Sequence, residues 1–228
     1  MADRVRQGPR GQGRRPGVSP RVQWPVRLSW GDLRLRPLVA RDRGEWDAVR
    51  WENREWLGPW EATNPEPSET LPSFRRFVRE QDREARAGRS LPWVIAERRP
   101  DGSWPMVGQL AVSSITGGAA RSASIGYWVD ATCAGRGIAP MAVAMAVDYC
   151  FQHRRLHRVE INIRPQNAAS LRIVEKLGFR DEGLRRDYLH IAGSWSDHRS
   201  FALTAPELAA GGLVERFTGT SRPMVVES

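Results

Sequence analysis

Tyr127-Trp128-Val129-Asp130-Ala131-Thr132-Cys133-Ala134-Gly135-Arg136-Gly137-Ile138-Ala139-Pro140 carries a strand into a glycine loop and out into a helix. Residues 122–129 have strand character, and beyond the glycines Ile138, Met141, Ala142, Met145 and Tyr149 recur at helical spacing. That spacing predicts a helix to about Gln152, apolar on one side. Glycine lets the backbone approach a ligand closely, and the first amides of a helix have no internal partners. A diphosphate can therefore bind at this turn, drawn by the helix dipole and by the charge of Arg136. Pro140 suits the first helical turn, where its missing N–H is no loss. A Gly-x-Gly turn before a helix also occurs without any ligand. The dinucleotide-binding fingerprint is excluded, because residue 140 is proline where glycine or alanine is needed and no repeated βαβ units surround it.

Upstream, residues 26–30 and 33–37 alternate as two short strand segments around Gly31-Asp32. Trp46, Val49 and Trp51 suit a helix from Asp42 to Asn53, which the glycine and prolines from Gly58 onward break. Thr70 is the expected cap of a second helix with Phe74, Phe77 and Val78 as its apolar stripe and Gly88 as its stop. Residues 91–98, 104–115 and 122–129 read as antiparallel strands with short connections. Downstream come a strand at 158–163 and a helix capped by Asn167 and closed by Gly178. Two last strands, 179–187 and 188–204, turn at Gly193. This order predicts an α/β fold, a mixed sheet with helices on both faces, without internal repeats.

The 228 residues, 40% hydrophobic, suit one domain. Residues 1–23 hold Arg4, Arg6, Arg10, Arg14, Arg15 and Arg21 among Gly, Pro and Gln, and are expected to be a disordered tail. The folded domain is expected at 24–208, with 209–228 a flexible extension. The formal net charge of +9 comes almost wholly from arginine, Lys176 being the only lysine. The tail is either an electrostatic tether to ribosome or RNA phosphate or simply solvated. No apolar run approaches the roughly 18 residues of a membrane span, and the first thirty residues lack an export-signal core. A cytoplasmic chain without a membrane partner is expected. Cys133 and Cys150 are too few for a disulfide framework, and no metal is expected, since Cys150 and His153 alone cannot complete a tetrahedral site.

A second segment, Arg158-Val159-Glu160-Ile161-Asn162-Ile163-Arg164-Pro165-Gln166-Asn167-Ala168-Ala169-Ser170, is followed by Glu175-Lys176-Leu177-Gly178-Phe179-Arg180-Asp181-Glu182-Gly183. With these the chain resembles the GCN5-related N-acetyltransferases (GNAT), and most closely the RimJ/RimL branch that acetylates ribosomal-protein N-termini. The resemblance spans about residues 26–208, including 53–60 and 193–199. It implies a mostly antiparallel, twisted sheet splayed between its fourth and fifth strands, here 125–129 and 159–163, with pantetheine in the gap. Ala134 to Ala139 is similar to the family's (Gln/Arg)-x-x-Gly-x-(Gly/Ala) motif; Gly137 and Ala139 match and Ala134 departs.

By that resemblance acetyl-CoA is the expected cosubstrate, held by Val129, Ala134, Gly135, Arg136, Gly137, Ile138, Ala139, Asn167 and Ser170. Val129 is the expected oxyanion donor through its backbone N–H, and Ser170 matches the branch's proposed general acid. Asn167 serves equally well as an N-cap, and Ser170 as a serine bonded locally to backbone. The position of the branch's carboxylate base falls at Leu189, which accepts no proton; Glu52, Glu55 or a water chain are the substitutes. Trp51, Trp56 and Trp60 either wall an acceptor groove with those glutamates or simply pack. Glu160 is expected in a strand-pair or salt-bridge role, and His198 in a structural one. The implied reaction is acetyl transfer in a ternary complex to a primary amine, the N-terminal α-amine of a ribosomal or other protein. A small amine such as an antibiotic or polyamine is the alternative acceptor, and a CoA- or ribosome-binding module without chemistry is the alternative class. Monomer and homodimer stay open.

Overall fold

Alternating apolar residues build one sheet at the centre of the fold, and the computed structural model describes residues 24–66, 72–208 and 210–228 of the chain. The elements run β1 (Arg27–Trp30), β2 (Leu33–Pro37), α1 (Arg43–Glu52), α2 (Arg54–Leu57), α3 (Phe74–Arg86), β3 (Leu91–Glu97), β4 (Met106–Thr116) and β5 (Ser122–Val129). They continue with α4 (Ile138–Gln152), β6 (Arg158–Ile163), α5 (Ala168–Lys176), β7 (Arg180–Ile191), β8 (Ser194–Thr204), α6 (Gly212–Thr218) and β9 (Val225–Glu227). Across the sheet the order is β7-β8-β6-β5-β4-β3-β2-β1-β9. The expected tail, residues 1–23, and the expected cap Thr70 lie outside the described residues; α3 begins at Phe74, with Ser73 Oγ accepting from Arg76 N at 3.4 Å.

Every strand pair is antiparallel except β5 with β6. Those two are joined through α4, and they pair only at Ser122, Ala123 and Ser124, opposite Arg158, Val159 and Glu160. From Ile125 onward they part, which is the expected splay. It falls between the fifth and sixth strands in chain order because the first hairpin contributes two strands. Trp46 of α1 meets Trp128 of β5 edge-on at 5.9 Å and Phe77 of α3 at 5.8 Å, which holds the helical layer over the end of β5.

Three expectations are corrected. Instead of presenting one apolar side, α4 is buried throughout residues 138–150. Its outer side is covered by the segment expected to be flexible: α6 packs there, with Leu213 and Val214 buried in the core. Asp148 fixes the contact, accepting from Leu213 N at 2.6 Å and Val214 N at 2.9 Å. Gly212 sits at φ +81, and a Cβ there would meet the Asp148 carboxylate at 2.6 Å, so glycine alone fits. The chain then adds β9 to β1 at the sheet edge. The expected break at Asp187 is likewise absent. Here β7 runs on to Ile191, absorbing two register shifts, with Asp187 at φ +47 and its N–H donating to Asp197 Oδ1 at 2.9 Å.

Candidate active site

The pairing of β4 with β5 decides which backbone groups face the splay. Asp130 N donates to Val107 O at 2.8 Å while Gly108 stands opposite Val129. Gly108 and Val129 are therefore a non-hydrogen-bonded pair, and the N–H and C=O of Val129 point away from β4 into the gap. A side chain at Gly108 would strike the Trp128 carbonyl, so the close approach of these strands requires glycine. On the far side, Trp56 Nε1 donates to Val129 O at 3.2 Å. Asn53, buried, accepts from Ala131 N through Oδ1 at 2.8 Å and donates from Nδ2 to Val49 O at 2.9 Å. One side chain thus ties the end of α1 to the turn that leaves β5.

That turn is shaped locally. Asp130 Oδ1 accepts from Thr132 N and Thr132 Oγ1, both at 2.8 Å. Gly135 and Gly137 adopt φ +77 and +83, and the space beside each is open. Met141 is the first residue of α4 whose N–H bonds back to the loop, to Gly137 O at 3.2 Å, and Pro140 has none. The N–H groups of Ile138 and Ala139 are left for a ligand at the positive end of a fifteen-residue helix.

Gap and loop merge in a cleft of about 730 Å³ between β5, the start of α4 and α5. Val129, Ala134, Gly135, Gly137, Ile138, Ala139, Asn167 and Ser170 line it, as do Trp56 and Trp60. Arg136 does not. Its guanidinium is taken by Glu97 at the end of β3, at 2.6 Å, and also reaches Cys133 Sγ at 3.6 Å, so its expected charge is turned away from the cleft. Glu97 holds the Arg136 pKa above its ordinary value. Arg172 and Lys176, one helical turn apart on α5, line the cleft and supply positive charge there. Lys176 Nζ stands 5.5 Å from the Phe217 ring of α6.

Trp51, Glu52 and Glu55 are exposed and outside the cleft lining, so of the five acceptor-side candidates only the tryptophans at 56 and 60 are brought to it. Asn167 is an N-cap, its Oδ1 accepting from Ser170 N at 3.0 Å. Glu160 lies between Arg158 at 2.8 Å and Arg185 at 3.0 Å, an ion-pair position. His198 is buried with Nδ1 at 2.9 Å from Ser196 O, and burial lowers its pKa. Sequence reasoning missed Asn53 as a tie and passed over Tyr127. Tyr127 lines the cleft, and its hydroxyl is buried without a hydrogen-bond partner among the described residues. Burial pushes this phenol up to about 12, an effect that the neighbouring Ser170 hydroxyl offsets in part. Among the described residues no cluster of three or more His, Cys, Asp or Glu could hold a metal, and no helix is long and apolar enough to cross a membrane.

A sheet that opens along one parallel pair, beside free amides at a glycine-marked helix start, is the architecture of the acyl-CoA N-acyltransferases. Residues 32–180 match the acetyltransferase (GNAT) domain. The chain is similar to the [ribosomal protein uS5]-alanine N-acetyltransferase of Escherichia coli, at 30% identity over 82% of this chain and 94% of that protein. It superposes on Mycobacterium smegmatis RimJ in complex with CoA-disulfide with a TM-score of 0.78 and 38% identity, covering 86% of this chain and 95% of that one. On the ribosomal-protein-S5-alanine acetyltransferase of Vibrio fischeri, 24% identical, it superposes with a TM-score of 0.68 over 78% of this chain and 96% of that one, a likeness of fold. The chain belongs to the GNAT family and is an N-acetyltransferase of its RimJ/RimL-like branch.

Proposed function

We propose that this enzyme transfers acetyl from acetyl-CoA to the N-terminal α-amine of a protein, a ribosomal protein being the favoured acceptor. The observation that carries the reading is the pair of ligand-ready backbone sets in one cleft: Val129 facing the gap, and Ile138 and Ala139 at the start of α4. Extended pantetheine can pair with the first, as an added strand does, and a diphosphate with the second. Arg172 and Lys176 offer further charge to the phosphates. A protein acceptor is supported by the relatives' names and by the ordered segment that follows Trp60, a residue lining the cleft. There Ala62 bridges Ile191, Thr63 N donates to His190 O at 2.9 Å, and Arg164 donates to Pro59 O at 2.6 Å, giving Trp60 a fixed surround.

In this reading the neutral amine attacks the thioester carbonyl and a C–N bond forms. The Val129 N–H donates to the developing oxyanion, a contribution of about 3 kcal/mol or roughly a hundredfold in rate. As the C–S bond breaks, the sulfur takes its electron pair and a proton from Ser170 Oγ. The proton shed by nitrogen restores Ser170 through water, which leaves amide and free thiol. The test is to supply acetyl-CoA with ribosomal-protein N-terminal peptides, aminoglycosides and polyamines, and to follow thiol release and product mass. Acetylation of a peptide α-amine at least about tenfold faster than of any small amine is expected, a preference within reach of a few acceptor contacts. Preference for a small amine would overturn the acceptor class. Failure to bind CoA at millimolar concentration would remove the reaction itself.

A further inference from the structure

We infer that Tyr127 is a positioning residue for acetyl transfer, its hydroxyl donating to Ser170 Oγ so that the serine's own proton is aimed at the departing sulfur. The inference rests on the role given to Ser170 above. Tyr127 stands on β5 two residues before Val129, in the stretch where β5 has left β6. It shares its face of the strand with Ile125 and Val129, and it lines the cleft. The hydroxyl has no hydrogen-bond partner among the described residues although it is buried. Buried polar groups are satisfied in the great majority of cases, and an exception calls for a ligand or a moving neighbour to complete it.

Ser170 is that neighbour. It lines the same cleft as Tyr127, and the two hydroxyls make no hydrogen bond as they stand. Its backbone N–H is already held by Asn167, which anchors the first turn of α5 and leaves the serine hydroxyl to rotate. The phenol carries one O–H, which can be donated to the serine oxygen. A serine has one hydrogen; once its oxygen accepts from Tyr127, that hydrogen is free for another acceptor. The acceptor in the cleft is the sulfur as the C–S bond breaks. Ser170 gives up the proton, Tyr127 keeps its own and stabilises the serine oxygen, and the proton shed by nitrogen returns to Ser170.

The test compares the full-length enzyme with Y127F, S170A and the double variant, using acetyl-CoA and an alanine-initiated peptide. Y127F is expected to lower kcat about tenfold, with KM for acetyl-CoA and the calorimetric Kd for CoA within about twofold, because the lost interaction is made only as the thiolate leaves. S170A is expected to lower kcat at least as much, and the double variant to be no slower than S170A, since the two hydroxyls act in series. The variant Y127F removes only an unpartnered oxygen and should melt no lower than wild type. Wild-type kcat in Y127F alongside an impaired S170A would overturn the inference while sparing the role of Ser170. So would a double variant that loses the product of the two single effects, or a change confined to KM for acetyl-CoA, which would make Tyr127 a pantetheine contact. Wild-type kcat in S170A would remove the serine's role and this inference with it.

Discussion

Asn53 fastens the acceptor-side helices to the cofactor turn with one buried amide, its oxygen on Ala131 N and its nitrogen on Val49 O. Replacing Asn53 with Ala leaves the Ala131 N–H without its partner, while Val49 O keeps the Asn53 backbone N–H at 3.1 Å; a buried group so abandoned costs about 1–3 kcal/mol. N53A is therefore expected to lose about 1–3 kcal/mol in denaturant unfolding and to raise KM for acetyl-CoA, because the turn it holds leads into the glycine loop. Asn53→Asp keeps the acceptor for Ala131 and gives up only the donor, so its KM should stay closer to wild type. Equal KM values in the two variants would show that the tie to Ala131 does not shape the cofactor turn. Gly137 makes a complementary demand, on conformation rather than on contacts. At φ +83 with open space around it, an added Cβ is resisted by the backbone alone. Left-handed backbone costs an L-residue about 1–2 kcal/mol, so Gly137→Ala should weaken CoA roughly tenfold in calorimetry if the loop relaxes to escape the strain. Unchanged affinity would mean that the alanine is carried in place at the expense of folding stability.

Among the elements, β6, β7 and the turn after β8 are laced by an ionic chain. Arg158 reaches Glu160 and Glu182, and Arg180 joins Glu182 to Glu207. Arg158 first, then Arg180, holds the Glu182 carboxyl down at about 2 against an ordinary 4.5. A folded value below the unfolded one means that the stabilisation is complete above about pH 4.5 and is lost as the pH falls toward 2. E182Q should thus melt below wild type at pH 7, and the two curves should converge on acidification; a constant offset from pH 7 to pH 3 would contradict the pairing. Much of this layer could be read in advance. Periodicity located the central strands, α4 and α5, and the family likeness located the gap, because alternation and capping are local and leave local marks. What escaped depended on partners distant in sequence. Arg136 is removed from the cleft by Glu97, thirty-nine positions earlier. Asp187, where one strand segment was expected to end, takes left-handed backbone, yet the strand continues through a bulge answered by Asp197. That Tyr127 lines the cleft beyond the last paired residue of β5 follows from where β6 departs, which no pattern within 122–129 encodes.

At the scale of the molecule, the C-terminal segment connects core integrity to the cofactor cleft. Its helix is only seven residues long and opens at glycines, which is why composition suggested a loose end. Burial gives the opposite answer: Leu213 and Val214 lie in the main core against α4, the helix whose first turn faces the cleft. Arg216 also donates to Leu177 O at the end of α5, and Phe217 backs Lys176. Each of the two buried side chains contributes about 1.5–3 kcal/mol, or roughly 3–6 kcal/mol together, against a total of about 5–15 kcal/mol for a typical domain. Ending the chain at Leu208 should therefore lower the melting midpoint by about 6–24 °C, taking roughly 2–4 °C per kcal/mol at this size. Burial already raises the pKa of Asp148, and without the Leu213 and Val214 amides its carboxylate would lose the bonds that now oppose that rise. Leu213→Ala in the full chain isolates the packing part, expected at about 2–5 kcal/mol. Because α6 also braces α5, both variants should bind CoA more weakly below their melting transitions. A truncated chain that melts with the full-length protein and binds CoA equally well would show that α6 rests on the core without supporting it.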